Sequence, residues 1–417
     1  MNIVRVQGKE IFDSRGMPTI SCEICLSDGS YVEASVPSGA SCGEKEAFVM
    51  HDGGTRFNGL GVQSAVEILN TQIAPLLVGK VPDVFVADAL LRDLDGTENK
   101  KNLGANTMLA ASIAVCKAQA LLYEQEPFQL IAELHDSESV TLPFPLVNVI
   151  NGGVHAGNGL SFQELMLVPV GAQNFRGALE HAFTVSQEIK KIVLAQGKSC
   201  AVGDEGGFSP IFKTMYEPFD LVMQAIEQTK LQEIFVLAID SAANQFYDKT
   251  LDKYKWFGDL LTAQELIAVY QELADKYPLY SVEDGLAEHD EENWKRMYQV
   301  LGGSLQIVGD DIFSSHAARI QNGIESKLAN TVIIKPNQVG TISEALEALD
   351  VCQTNGVSPI VSHRSGETND DFIADFAVGT SAGQIKCGGA SRGERMAKYN
   401  RLLDIEDILT MGLLEDI

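Results

Sequence analysis

From Asn148 onward the chain repeats one pattern, in which a short aliphatic run ends abruptly in an ionisable residue. Residues 234–239 end in Asp240, residues 279–282 in Glu283 and Asp284, residues 305–309 in Asp310 and Asp311, and residues 331–334 in Lys335. Pro359-Ile360-Val361 leads into Ser362-His363-Arg364-Ser365, and residues 200–203 lead into Asp204 and Glu205. Runs this short and this apolar, separated by helix-like stretches, predict buried parallel strands. Those beginning at Leu305, Thr331, Pro359 and Gly383 recur every 25 residues or so, roughly one βα unit each. The pattern predicts a (β/α) barrel, whose active site gathers at the C-terminal ends of its strands. With residues 147–150 and 162–170 there are nine candidate strands. The expectation is that residues 383–386 lie outside an eight-stranded cylinder.

The first third is patterned differently. Alternating stretches at 19–26 and 31–36 flank Ser27-Asp28-Gly29-Ser30, a hairpin signal. Helical periodicity follows over 63–77, 83–94 and 103–124. The polar stretch 135–139, then Pro143 and Pro145, marks a boundary. The fold class is therefore α/β: a smaller N-terminal α+β domain over 1–135 precedes a (β/α)8-like barrel over 140–417. A length of 417 residues with 45% hydrophobic content suits that pair.

Charge and cysteines narrow the partners. A formal charge of −26 disfavours direct binding to nucleic acid, whose phosphates it would repel. No uninterrupted apolar segment is long enough to imply a membrane partner, and Met1–Arg5 lacks the apolar core of a signal peptide. The seven cysteines are odd in number and scattered, which points to a reducing, cytoplasmic setting. Cys22 and Cys25, three apart on an alternating stretch, fall on opposite faces and read as structural.

The strand ends carry the chemistry. Asp240, Glu283 and Asp310 would converge if their strands are neighbours, and an all-oxygen set suits a hard cation such as Mg2+. One Asp after a strand commonly caps the next helix; three of them, followed by Lys335 on the next strand, favour the metal. Lys335 ends a fully apolar run, so burial and nearby cations should lower its pKa and suit it to act as a neutral base. Its alternative is a structural ion pair. Glu205, in Gly203-Asp204-Glu205-Gly206-Gly207-Phe208, could face Lys335 as the complementary acid or serve only the turn. Arg364 beside Ser365 is well shaped for phosphate or carboxylate.

Motifs along nearly the whole chain resemble the enolase family. They include Asp13-Ser14-Arg15-Gly16, Ser38-Gly39-Ala40-Ser41, Asn151-Gly152-Gly153-Val154-His155, Val282-Glu283-Asp284, Lys335-Pro336-Asn337-Gln338, Ser362–Thr368, Gly383-Gln384-Ile385-Lys386 and Arg395–Asn400. The resemblance implies Mg2+-dependent dehydration of 2-phospho-D-glycerate to phosphoenolpyruvate, in glycolysis or its reverse. It implies Asp240, Glu283 and Asp310 as ligands of a first Mg2+, and Ser41 in a lid loop as a ligand of a second that arrives with substrate. Lys335 matches the base, Glu205 the acid and Glu164 its support. Arg364 and Ser365 match the phosphate holders, Lys386 the carboxylate holder, and His155, Gln163 and His363 further residues of the substrate site. A homo-oligomer, dimer or octamer, is implied as well. Cys42, Asn244-Gln245, Pro336 and Cys387 depart from the family pattern at positions without assigned chemistry.

Two rivals remain at this level. A sugar-acid dehydratase of the wider superfamily would share the barrel and the acids without needing Arg364, Ser365 and Lys386 for a phosphorylated substrate. A non-catalytic binding protein on the same scaffold would be expected to lack Glu205, Lys335 or Asp310, and all three are present.

Overall fold

The computed structural model describes residues 1–39 and 43–415; Ser41 and Cys42 lie outside them. Strands β1 (Ile3–Phe12), β2 (Pro18–Leu26) and β3 (Tyr31–Ser35) form an antiparallel meander. Helices pack on its inner face. Asp83 starts the helix Val84–Asp95 by accepting the Val86 N–H at 2.9 Å, and Gly96, at φ 65°, ends it in the left-handed conformation. The helix Ala105–Leu122 is long and apolar enough to cross a bilayer, yet 83% of it is buried inside the protein. It is a core helix, apolar nearly all round because it is surrounded.

The second domain is an α/β barrel. Its strands are β4 (Phe144–Asn151), β5 (Glu164–Val168) and β6 (Val236–Asp240). A small external meander follows as β7 (Tyr247–Asp248), β8 (Lys253–Trp256) and β9 (Asp259–Leu261). The barrel resumes with β10 (Leu279–Glu283), β11 (Gln306–Gly309), β12 (Thr331–Ile334), β13 (Ser358–Ser362) and β14 (Gln384–Gly389). It closes in the order β10-β11-β12-β13-β14-β4-β5-β6. Leu146, Met166, Val168, Ala238, Val308, Ile333 and Ile360 fill its interior, so the lumen is a packed core and the chemistry is confined to the rim.

Two expectations are corrected. Residues 383–386 do not lie outside the cylinder: β14 pairs with both β13 and β4 and closes it. The supernumerary stretch is 200–203, where the chain turns back on itself through Gly203 N–H to Gly207 C=O (2.8 Å) and Ser209 N–H to Ala201 C=O (2.9 Å). The strands are also not all parallel, since β5 runs antiparallel to β4 and β6. The β4–β5 connection contains no crossover α-helix, which a parallel pair would need. The reversal has a consequence for the site, because the first residue of β5, Glu164, lands beside the last residue of β6, Asp240.

The N-terminal domain sits over this rim. Ser38 and Gly366 exchange backbone hydrogen bonds at 2.7 and 2.9 Å. Buried Asp88 accepts from the Ser343 N–H (2.9 Å) and hydroxyl (2.7 Å). The segment that follows Gly43 is pinned to the barrel by Ala47 N–H donating to the Gln338 carbonyl at 2.9 Å.

Candidate active site

Strands β6, β10 and β11 are consecutive in the barrel, and Asp240 and Glu283 are register partners at their ends. Neither acid, nor Asp310, caps a following α-helix; those helices begin further on, with Thr262 and Asp290 as the side-chain caps after β6 and β10. Lys386, on β14 across the rim, sends its ammonium between the acids. It donates to Asp240 Oδ2 at 2.9 Å and to both Glu283 oxygens at 3.0 Å, and it is also paired with Glu164. All four side chains are at most 6% exposed. Burial pushes the Lys386 pKa down, but Asp240, Glu164 and Glu283 outweigh it and hold the ammonium well above the ordinary lysine value.

Asp310 faces the other way. It pairs with the Lys335 ammonium and accepts from Gln338 Nε2 at 3.0 Å. Lys335 therefore departs from the sequence expectation. Burial, the largest single influence, lowers its pKa, but the attractions of Asp310 and Glu283 together outweigh it, and the net shift is upward. In this geometry the lysine is ion-paired with Asp310.

Glu205 lines the same cavity as Lys335. Asn151 Nδ2 donates to Glu205 at 2.9 Å, and His155 Nε2 lies 3.7 Å from its other oxygen. Burial raises the Glu205 pKa, Lys386 and Arg395 oppose this, and the balance stays above the carboxylate range. Glu164, beneath it, accepts from Asn148 at 2.7 Å and is pushed up to about 8 by burial and by Glu205. Gln163 donates to Asp240 at 3.2 Å. His363 accepts from the buried Arg395 guanidinium at 2.5 Å, and burial together with that charge lowers its pKa well below the usual value. Arg364 Nη1 and Nη2 contact the two oxygens of Glu46 at 3.0 and 3.1 Å.

His155, Gln163, Glu205, Asp240, Lys335, His363, Arg364, Ser365 and Lys386 thus line one small cavity. Glu283 touches it through Lys386, and Asp310 through Lys335. Among the described residues, Asp240, Glu283 and Asp310 are not drawn together as tightly as two other sets. Asp284, Asp310 and Asp311 form one, and Glu164, Glu205 and His363 the other, each with ligand atoms within 4.8 Å of one another. Asp240, Glu283 and Asp310 offer only carboxylate oxygens, the donor type that a hard divalent cation takes. The acids around this rim are compatible with metal binding.

Comparison with known proteins decides the relationship. The model "Enolase, N-terminal domain" matches residues 3–131, and "Enolase, C-terminal TIM barrel domain" matches residues 139–413. The chain belongs to the enolase family. The enolase of Anaplasma marginale is 46% identical over 416 residues, covering 99% of this chain and 95% of the relative. That of Natranaerobius thermophilus is 44% identical over 412 residues (98% and 95%), and that of Sulfurimonas denitrificans 43% over 415 (99% and 98%). As an enolase-family enzyme the protein is a carbon–oxygen hydro-lyase, a phosphopyruvate hydratase of glycolysis.

Sequence reasoning passed over several residues of this enolase site. Asn148 and Asn151 stand on β4 and hold Glu164 and Glu205, while Arg395 binds His363 and the carbonyls of Asp204, Arg364 and Ser365. Asn148 and Asn151 carried a usable signal, a carboxamide inside an apolar run, because a buried amide needs partners.

Proposed function

We propose that this site interconverts 2-phospho-D-glycerate and phosphoenolpyruvate with Lys335 as base and Glu205 as acid. The observation that carries the reading is the shared cavity, which Lys335, Glu205, Arg364, Ser365 and Lys386 line together. Lys335 takes the proton from carbon 2. Glu205, whose pKa burial raises, delivers a proton to the hydroxyl leaving carbon 3 as water, and the carbon 2–carbon 3 double bond forms. Glu164 and His155 support that acid. Arg364 and Ser365 hold the phosphate, Lys386 holds the carboxylate end, and Gln163 and His363 complete the wall.

Asp240, Glu283 and Asp310 would hold one Mg2+, and Ser41 would join a second that comes with substrate. When bound, the ions offset the negative charge that builds on the substrate carboxylate as the proton leaves. Were Asp310 engaged by a cation, Lys335 would lose the carboxylate that raises its pKa. The cytoplasm suits the six described cysteines, all free thiols. A homo-oligomer, dimer or octamer, suits the apolar side chains exposed on the N-terminal meander, including Val4, Phe12 and Tyr31.

The test is enolpyruvate absorbance on mixing purified protein with 2-phosphoglycerate. The signal should appear only with a divalent ion. Undiminished turnover after exhaustive chelation would refute the metal assignment.

A further inference from the structure

Arg364 is the side chain to which the proposed function gives the phosphate, and the inference below rests on that reading. Its guanidinium is 4% exposed, and the carboxylate against it, Glu46, is 5% exposed. The two meet in a bidentate fork at 3.0 and 3.1 Å. Glu46 is itself held. Its Oε1 accepts the Gly43 N–H at 3.2 Å and Gln338 Nε2 at 3.3 Å, while the next residue, Ala47, is fastened to the Gln338 carbonyl at 2.9 Å. Gln338 Nε2 also donates to Asp310 at 3.0 Å, and the Ser315 hydroxyl donates to Gln338 Oε1 at 2.5 Å and accepts the Lys335 N–H at 2.8 Å.

We propose that Glu46 is a positioning residue, which fixes the plane of the Arg364 guanidinium so that it is pre-formed for the substrate phosphate. A carboxylate serving only as a temporary counter-ion would need to leave when phosphate arrives. Its departure would strand the Gly43 N–H and remove an acceptor from Gln338, both in part-buried surroundings, where an unpaired donor is costly. The network therefore keeps Glu46 in place. A fork–fork pair fixes orientation as well as charge, which a flexible cation alone would not do.

The experiment measures KM and kcat for 2-phosphoglycerate, and calorimetric affinity for inorganic phosphate with Mg2+ present. The proteins are wild type, Glu46→Gln, Glu46→Asp, Arg364→Met and the Glu46→Gln/Arg364→Met double variant. For Glu46→Gln, substrate KM and phosphate Kd should each rise roughly 10- to 100-fold, the cost of losing a hydrogen bond to a charged partner. kcat should fall less than KM rises. Glu46→Asp, which keeps the charge, should recover part of the loss, and it decides the matter should Glu46→Gln fail to fold. In the Arg364→Met background Glu46→Gln should cost nothing further. Unchanged or tighter phosphate binding in Glu46→Gln, no advantage for Asp over Gln, a loss that persists without Arg364, or a wild type that does not bind phosphate would each overturn the proposal. A wild type that binds phosphate in this Glu46-dependent way but turns over no 2-phosphoglycerate would refute the proposed function and leave this inference standing.

Discussion

Replacing Lys386 by Met removes the one cation lodged among Glu164, Asp240 and Glu283 while keeping most of the side-chain volume. The three carboxylates are at most 6% exposed, so solvent cannot take over its role. Deleting one partner of a buried pair costs about 3–5 kcal/mol, because a charge is left uncompensated. Entropies of unfolding near 2.1 cal/mol/K per residue, applied to 417 residues, turn that into a Tm lowered by roughly 3–6 °C in the metal-free protein. Mg2+ should then stabilise the variant more than it stabilises wild type, since the ion would restore the missing charge on Asp240 and Glu283. Scanning calorimetry with EDTA and with saturating Mg2+ measures both effects. An unchanged metal-free Tm, or equal Mg2+ stabilisation of the two proteins, would refute the reasoning.

Lys335→Ala should lower turnover by about 10²–10⁴-fold or more, as loss of a positioned base does, with 2-phosphoglycerate binding retained; a near-normal rate would remove this lysine from the mechanism. Burial holds Asp88 at about 6, above its usual 3.8. A carboxyl whose pKa is raised on folding stabilises the folded state while protonated, so this contribution is lost as pH climbs from about 4 through 6. Asp88→Asn should therefore gain up to about 3 kcal/mol at pH 8 relative to pH 4, taking 1.36 kcal/mol per pKa unit; parallel stability–pH curves for variant and wild type would contradict this. Asn151→Leu should slow the dehydration with little change in substrate binding, because it strips Glu205 of its 2.9 Å donor; an unaltered rate and pH profile would argue against that acid.

Much of the architecture was legible because a buried strand must be apolar along its length and can change character only where it emerges. Asp240, Glu283, Asp310 and Lys335 mark those exits, so the rim could be read off the chain. The direction of β5 could not: its aliphatic run looks the same read either way, and only the short β4–β5 connection separates hairpin from crossover. Stretch 200–203 looked like a strand for the same reason, although its hydrogen bonds close locally across Gly203 and Gly207. Pairings were the least visible part of the site. That Asp310 belongs to Lys335, and that Lys386 lies on Asp240 and Glu283, depends on which strands meet across the barrel mouth. Glu46 reaches Arg364 from 318 residues away, a distance at which local pattern carries no signal.

The most direct test soaks crystals of the protein with Mn2+ in place of Mg2+ and records anomalous scattering. The account predicts a peak bounded by Asp240, Glu283 and Asp310, with the Lys386 ammonium drawn away from those carboxylates. A peak held instead by Asp284, Asp310 and Asp311, or by Glu164, Glu205 and His363, with Lys386 still lodged between Asp240 and Glu283, would contradict it.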